Sequence, residues 1–487
     1  MPWLARHREL ALLAVWLLAL LGLRPLMLPD EGRYATVAFE MLDGSPLVPL
    51  LNGLPFFHKP PLLYWLDQAA MAVFGVNAFA ARLGPACMAW CLGAGLFLHL
   101  RHWHGQAVAR ASLAVLATSP LYFVGAQYVN HDMGVAACIV LSVLAFARAL
   151  AEQGAARRRW LLAGWALCGL GVLAKGLIGI VLPLAVLVPW LLAQRRWTDL
   201  LALASWRGVL AFVAVAGPWL LLMQWRYPGF LDYFIVEQHF RRYAGAHFNN
   251  QEPLWFFWVV LPLLMLPWTL WLWPALRQSG WQAALYLWWT ALVLLFFSLP
   301  QSKLVGYAMP AMAPLAALLG LVLAQRTRLR QRLLFGAALA CAALVAGLAW
   351  KPPPSHADLG LALRERWQAG DRLVFADASF YDLRFVARIA QPAIVLSDWG
   401  DPQQPRADNW QKELLDAARF DHARGQALLW DWQQLAAVPC HGGTVWLVTS
   451  EQALPRLATL GAQTVFAGRQ GLLLRVAGRA CAAPLPP

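Results

Sequence analysis

Asp30, Glu31 and Arg33 stand directly after the first long apolar run of a 487-residue chain, and His58 and Lys59 close the polar loop that follows. A membrane protein normally has a short, bland connection at that place. Two adjacent acids beside cations at a membrane boundary have two readings. Acids before the helical stretch around 34–42 suit a helix start, because carboxylates favour the positive end of the helix dipole. The same cluster could instead handle a charged lipid, with Lys59 as a compact point charge for a phosphate and Arg33 beside it. Lys59 has its own bland reading as a headgroup contact at a helix entry, with Pro60 and Pro61 restarting the chain.

Further candidates follow along the chain. Asp132 begins an apolar span, where it either caps a helix or is a costly acid at a membrane edge. Lys175 interrupts the apolar stretch 169–190 and therefore requires a partner, for which an anionic ligand is the natural candidate. Arg241 and Arg242 sit in the long loop 226–253, and Lys303 with Tyr307 in the last loop. Glu237 and His239 are metal ligands, a hydrogen-bonded pair or surface residues. A divalent ion (Zn, Mg or Mn) would need a third ligand such as His58 or Asp30.

The surroundings decide what these residues can be part of. The chain is 60% hydrophobic and only 13% charged, with 27 Trp, which no soluble core could bury. It is an integral membrane protein. Its formal charge of +14 comes mainly from Arg in short clusters between apolar runs, so the charge reads as topology and lipid contact, not nucleic-acid binding. Apolar runs lie at roughly 10–28, 78–100, 108–124, 131–150, 160–175, 176–193, 207–225, 254–275, 281–299, 304–324 and 333–350. That gives about eleven spans, or about thirteen if 62–76 crosses and the crowded region near 160–193 divides further.

Arg101, Arg110, Arg157 to Arg159, Arg195, Arg196, Arg277 and the arginines at 326, 328, 330 and 332 alternate consistently onto one side, the cytoplasmic one, together with the N-terminus. All five lysines fall on the outer side, with Asp30, His58, Asp132, Glu237 and Tyr307. This asymmetry predicts an outward-facing site at the membrane interface. After Trp350 the composition becomes that of a soluble domain. Strands are expected at 372–376, 393–396 and 444–449, a helix at 379–388, and a hairpin at 464–476. The expected organisation is a transmembrane domain, 1–350, and a small extracytoplasmic α/β domain, 351–487. Five of the seven Cys lie in apolar runs; a Cys440–Cys481 disulfide is the expectation for an extracytoplasmic tail. No Gly-rich phosphate loop or nucleophile elbow is present, so no nucleotide is expected.

The chain resembles the GT-C membrane glycosyltransferases of the protein mannosyltransferase superfamily, and most closely the bacterial aminoarabinose transferase-like members. The resemblance rests on an ordered set over roughly 10–325: Asp30-Glu-Gly-Arg-Tyr-Ala35, Phe57-His-Lys-Pro-Pro61 with Tyr64 and Trp65, Asp132 with Met133, and Leu173-Ala-Lys-Gly176 with Pro183. The stretch 233–243, Pro267-Trp268, and Ser302-Lys-Leu304 with Tyr307 and Pro310 complete it. The resemblance implies transfer of a sugar from a polyprenyl-phosphate donor to lipid A or another envelope acceptor, at the periplasmic face of the bacterial inner membrane. It makes Asp30 the leading catalytic residue, with Glu31 and Asp132 beside it. It associates Arg33, Lys59 and Lys175 with the donor phosphate, and extends that role to Arg241, Arg242, Lys303 and Tyr307. His58 departs from the pattern, since aminoarabinose-type relatives usually carry Glu there, in a metal-linked cluster. Two rivals remain at this point: a lipid flippase, which would show inverted repeats and mid-membrane charges, and an assembly subunit with a degenerate site.

Overall fold

The computed structural model describes residues 8–241, 250–401, 409–440 and 443–479, with the side chains of 239–241 also outside the description. The chain divides into two compact units whose boundary does not follow the sequence. One comprises Met1–Leu23, Lys59–Leu63 and Arg82–Gly347; the other comprises Arg24–His58, Tyr64–Ala81 and Leu348–Pro487. The first outer loop thus forms one body with the C-terminal segment.

The first unit is a helical bundle. Among the described residues six helices are long and apolar enough to cross a membrane, and the pair Phe256–Leu264 and Trp268–Leu276, bent by 108°, makes a seventh if it counts as one span. That is fewer than the apolar runs in the sequence. Some runs fold into helices too short for the same test, as Ile178–Ala193 does, and Gly154–Lys175 opens on three arginines. The helix His131–Ala149 occupies the centre, with 89% of its apolar window buried. Small residues let its neighbours approach: a Cβ on Gly179 would lie 2.6 Å from the Cα of Gly171, an approach that excludes any side chain. The bundle's two ends differ chemically. One carries the start of His131–Ala149, the end of Gly154–Lys175 and the start of Met309–Leu323. At the other, Arg157 and Arg196 share Asp199 at 2.6 Å each.

The second unit starts from the helix Asp30–Asp43, whose first turn holds Asp30 and Glu31, and which ends at Gly44. A short hairpin follows, β1 (Leu50–Leu51) and β2 (Leu54–Pro55), turned by Asn52 and Gly53. Both turn residues have positive φ, 53° and 77°, which is the Asn-Gly turn that matches strand twist. The C-terminal segment supplies a six-stranded sheet: β3 (Arg372–Ala376), β4 (Ile394–Leu396), β5 (Leu429–Trp430), β6 (Val445–Thr449), β7 (Gln463–Gly468) and β8 (Gly471–Val476). Their order is β5-β4-β3-β6-β8-β7; the first four run parallel and the last two antiparallel. The expected strands are present at their places; β5 was not foreseen, being only two residues long. The helix expected over 379–388 forms as Leu383–Ala387. Alternate residues Val374, Ala376, Leu447, Leu472 and Leu474 fill one face, the period-two pattern of a sheet with a covered side. Cys440 is disulfide-bonded, and Cys481 lies outside the described residues.

Loop and sheet are joined inside this unit by Glu40. Its carboxylate accepts the backbone N–H groups of Asn52 (2.8 Å) and Gly53 (2.7 Å) and pairs with Arg384 at 2.5 Å. Asn52 in turn exchanges two 2.8 Å hydrogen bonds with the backbone of Ala393. Burial raises the Glu40 pKa, and Arg384 with the two N–H groups only partly offsets it. Removing one member of such a buried pair leaves the other uncompensated. Arg384→Met is expected to destabilise this unit by about 3–5 kcal/mol, read as a lower melting temperature in detergent; an unchanged melt would refute the assignment.

Candidate functional site

The expected residues are divided between the two units. In the bundle unit, Asn130 caps the helix His131–Ala149 by accepting the N–H of Asp132 at 3.0 Å. Asn130 performs the capping that Asp132 was a candidate for, which leaves the Asp132 carboxylate to Lys175. The two form a direct ion pair with side chains 7% and 14% exposed. Lys175 was expected to face an anionic ligand; its partner is an acid of the chain itself. Its ammonium also lies over the Tyr307 ring, 4.5 Å from the centroid. Gly306 permits this closeness, since a Cβ there would fall 2.2 Å from Asp132 Oδ2. The arrangement gathers Asp132, Lys175 and Tyr307 from three distant stretches. His131 reinforces it with a 2.9 Å contact from Nδ1 to the carbonyl of Ala174.

Lys303 has a different environment from the one expected of a phosphate ligand. It is 3% exposed, and its Nζ donates to the carbonyl of Glu252 at 2.6 Å, while its own N–H donates to the carbonyl of Asn250. Burial lowers its pKa against the opposing pull of Glu252. The side chain staples 250–252 to 301–303. Glu237 lies part-buried on the π-helical turn Asp232–Arg241. His239 and Arg241 have side chains outside the described set, and Arg242 lies outside the described residues altogether. Lys59 is part-buried ahead of the helix Leu62–Phe74.

In the second unit the two adjacent acids separate in role. Glu31 is fully buried, paired bidentately with Arg24, and accepts the N–H of Met27 at 2.9 Å. Glu31, expected beside Asp30 as an acid for chemistry, has its carboxylate engaged by Arg24 and Met27. Asp30, with a side chain 26% exposed, accepts from Arg33 Nη2 at 2.5 Å. Arg33 also pairs through Nη1 with Glu413, whose other oxygen accepts the Tyr381 hydroxyl at 2.6 Å. Burial lowers the Arg33 pKa, but Glu413, with Tyr34, Tyr381 and Asp30, holds it well above the ordinary value. Burial, and then Glu413, keeps the Tyr381 hydroxyl protonated. His58 stacks on Phe56 and sits 3.6 Å from Asp416, which Lys412 holds at 3.0 Å.

Among the described residues no three His, Cys, Asp or Glu side chains converge in a way that could hold a metal ion. At His58 the neighbouring carboxylate is that of Asp416. Glu413, Asp416 and Tyr381 escaped sequence reasoning. The only signal was a pair of acids three apart in Lys412-Glu-Leu-Leu-Asp416, which any surface helix could carry.

Residues 10–234 match the family described as dolichyl-phosphate-mannose-protein mannosyltransferase. The undecaprenyl phosphate-alpha-4-amino-4-deoxy-L-arabinose arabinosyl transferase of Erwinia tasmaniensis is 36% identical over 326 residues, which is 63% of this chain and 57% of that protein. Over that stretch the chain is similar to the aminoarabinose transferases. A second such transferase, from Pseudomonas fluorescens, is 35% identical over 66% of this chain and 60% of its own length. The chain therefore spans somewhat under two thirds of these relatives. In three dimensions the crystal structure of ArnT from Cupriavidus metallidurans bound to undecaprenyl phosphate superposes with a TM-score of 0.83 at 23% identity, over 96% of this chain and 98% of that one. The chain shares the fold of that structure over nearly its whole length.

Two measurements test the clusters. Asp132→Asn and Lys175→Met are expected to be non-additive by about 1–3 kcal/mol in a double-mutant thermal cycle, and additivity would dissolve the pair. For Asp416, burial works to raise the pKa, but His58 and Lys412 outweigh it and the net shift is downward. A depressed carboxylate contributes stability that is present above its unfolded value, about 4, and lost as pH falls through the lower folded value. Asp416→Asn is expected to flatten that acid limb in melts between about pH 2 and 5; an unaltered limb would sink the assignment.

Proposed function

We propose that the chain is an inverting glycosyltransferase that moves a sugar from a polyprenyl-phosphate donor to an envelope lipid of the lipid A type. The reaction takes place at the periplasmic face of a bacterial inner membrane, with the N-terminus cytoplasmic and the C-terminal sheet periplasmic. One observation carries this reading. In a chain with so few charges, the ordered motif residues are buried or part-buried and paired: Asp30 with Arg33, and Asp132 with Lys175 over the Tyr307 ring. Buried ionisable groups of this kind are expensive and mark functional sites in membrane proteins.

The lipid phosphate is already a leaving group, so the protein must supply charge stabilisation and orientation. Lys59 is the cation assigned to the departing phosphate, with Lys175 positioned by Asp132. Asp30 orients or deprotonates the acceptor hydroxyl; an acceptor phosphate would need less of this help. Direct displacement inverts the anomeric carbon. A flippase would carry its ionisable groups at mid-membrane, whereas Asp132, Lys175 and Tyr307 lie at helix ends. Transfer to protein, as in the mannosyltransferases, is the second reading, favoured by the match over 10–234.

Purified protein incubated with an undecaprenyl-phosphate aminosugar and lipid A is expected to add the sugar's mass to the acceptor. Asp30→Asn and Lys59→Ala are each expected to lower turnover by at least about a hundredfold with the melt preserved. Near-normal turnover in both variants defeats the proposal, and a mass increment on an acceptor protein in place of the lipid selects the second reading.

A further inference from the structure

The helix Trp410–Ala418 lies far beyond the family match at 10–234, yet it reaches the residues that carry that match. Asn409 caps it by accepting the N–H of Lys412 at 2.8 Å. Residues three apart on a helix share a face, so Glu413 and Asp416 project the same way. Glu413 meets Arg33, and Asp416 meets His58. These partners bracket the polar loop at its two ends. The side chains are largely withdrawn from water: Glu413 is 12% exposed, Arg33 14% and Asp416 2%.

From Glu413 an unbroken line of hydrogen bonds runs to the candidate catalytic acid. Tyr381 donates to Glu413, Glu413 accepts from Arg33, and Arg33 donates to Asp30 at 2.5 Å. The guanidinium stands between the rings of Tyr34 and Tyr381, at 4.8 and 5.7 Å from their centroids. Arg33 thus already faces two carboxylates. A donor phosphate added to the same guanidinium would set three anions against one cation in a poorly solvated place, which is electrostatically unfavourable.

We propose that Glu413 is a positioning residue that acts through Arg33 on Asp30, assisted by Tyr381, so that Arg33 serves the acid and not the donor phosphate. The helix Trp410–Ala418 is then a working part of the transferase site, with Asp416 holding the far end of the loop through His58. The inference rests on the glycosyl-transfer reading and on Asp30 as its acid.

The test uses the full chain in detergent with polyprenyl-phosphate aminosugar and lipid A, measuring kcat, donor KM and the thermal melt. Glu413→Gln removes the charge while keeping the shape. It is expected to lower kcat roughly ten- to a hundredfold with donor KM within about twofold, because the acid is misplaced while the donor is still held. Glu413→Asp is expected to recover part of that loss. Tyr381→Phe, a milder change that keeps the ring, is expected to lower kcat several-fold at constant KM. Wild-type kcat in both Glu413→Gln and Tyr381→Phe overturns the proposal. So does a changed donor KM at unchanged kcat, which would make Arg33 a phosphate ligand after all. If Glu413→Gln fails to fold, Tyr381→Phe decides alone. The two levels separate cleanly: full activity in Asp30→Asn removes the underlying reading, whereas inactive Asp30→Asn beside fully active Glu413→Gln removes this inference only.

Discussion

A carboxylate shut away from water must have its oxygens answered by the protein, and in the unit that carries the outer loop this falls to Glu40. Two turn N–H groups and one guanidinium do so. Each comes from a place the helix Asp30–Asp43 could not otherwise reach. The Asn-Gly turn fixes β1 and β2, and Arg384 fixes the short helix beside the sheet. The loop's conformation, and with it the direction in which Asp30 and Arg33 project, follows from satisfying one buried charge. The cost of leaving it unsatisfied is what makes the arrangement singular.

Much of this was legible from residue type and place. A lysine in an apolar stretch cannot stand alone, and Lys175 indeed has a partner; that the partner would be Asp132 needed the two helix ends to be seen side by side. Asn130 was overlooked as the cap that releases Asp132, although an Asn just ahead of an apolar run is an ordinary helix-start signal. Glu31 could not be told from Asp30 in the sequence, because adjacent helix residues look alike until one of them turns inward to Arg24. Lys303 likewise reads as a loop cation, and only its carbonyl partners show it to be a staple. The strands were readable because alternation is a local property. The pairing of Arg33 with Glu413 was not, because it joins residues 380 apart and leaves no local trace.

His58 gains a physical explanation on the same grounds. His58 departs from the motif that the sequence resemblance leads one to expect, and across from it stands Asp416, with Lys412 close by. An acid at position 58 would face another acid. The departure in the motif and the composition of the distant helix are therefore one feature, divided between two parts of the chain.

The interleaving of the second unit has a consequence for biogenesis. Glu40 and Arg384 are separated by 344 residues. At about 5–20 residues per second, a ribosome needs on the order of half a minute to deliver the arginine after the glutamate has emerged. During that interval the bundle is being threaded into the lipid while the loop waits with Glu40 hydrated and without its arginine. Maturation of the loop is thereby tied to delivery of Arg384, so a chain arrested before that residue would insert its helices while the loop lacks its buried ion pair.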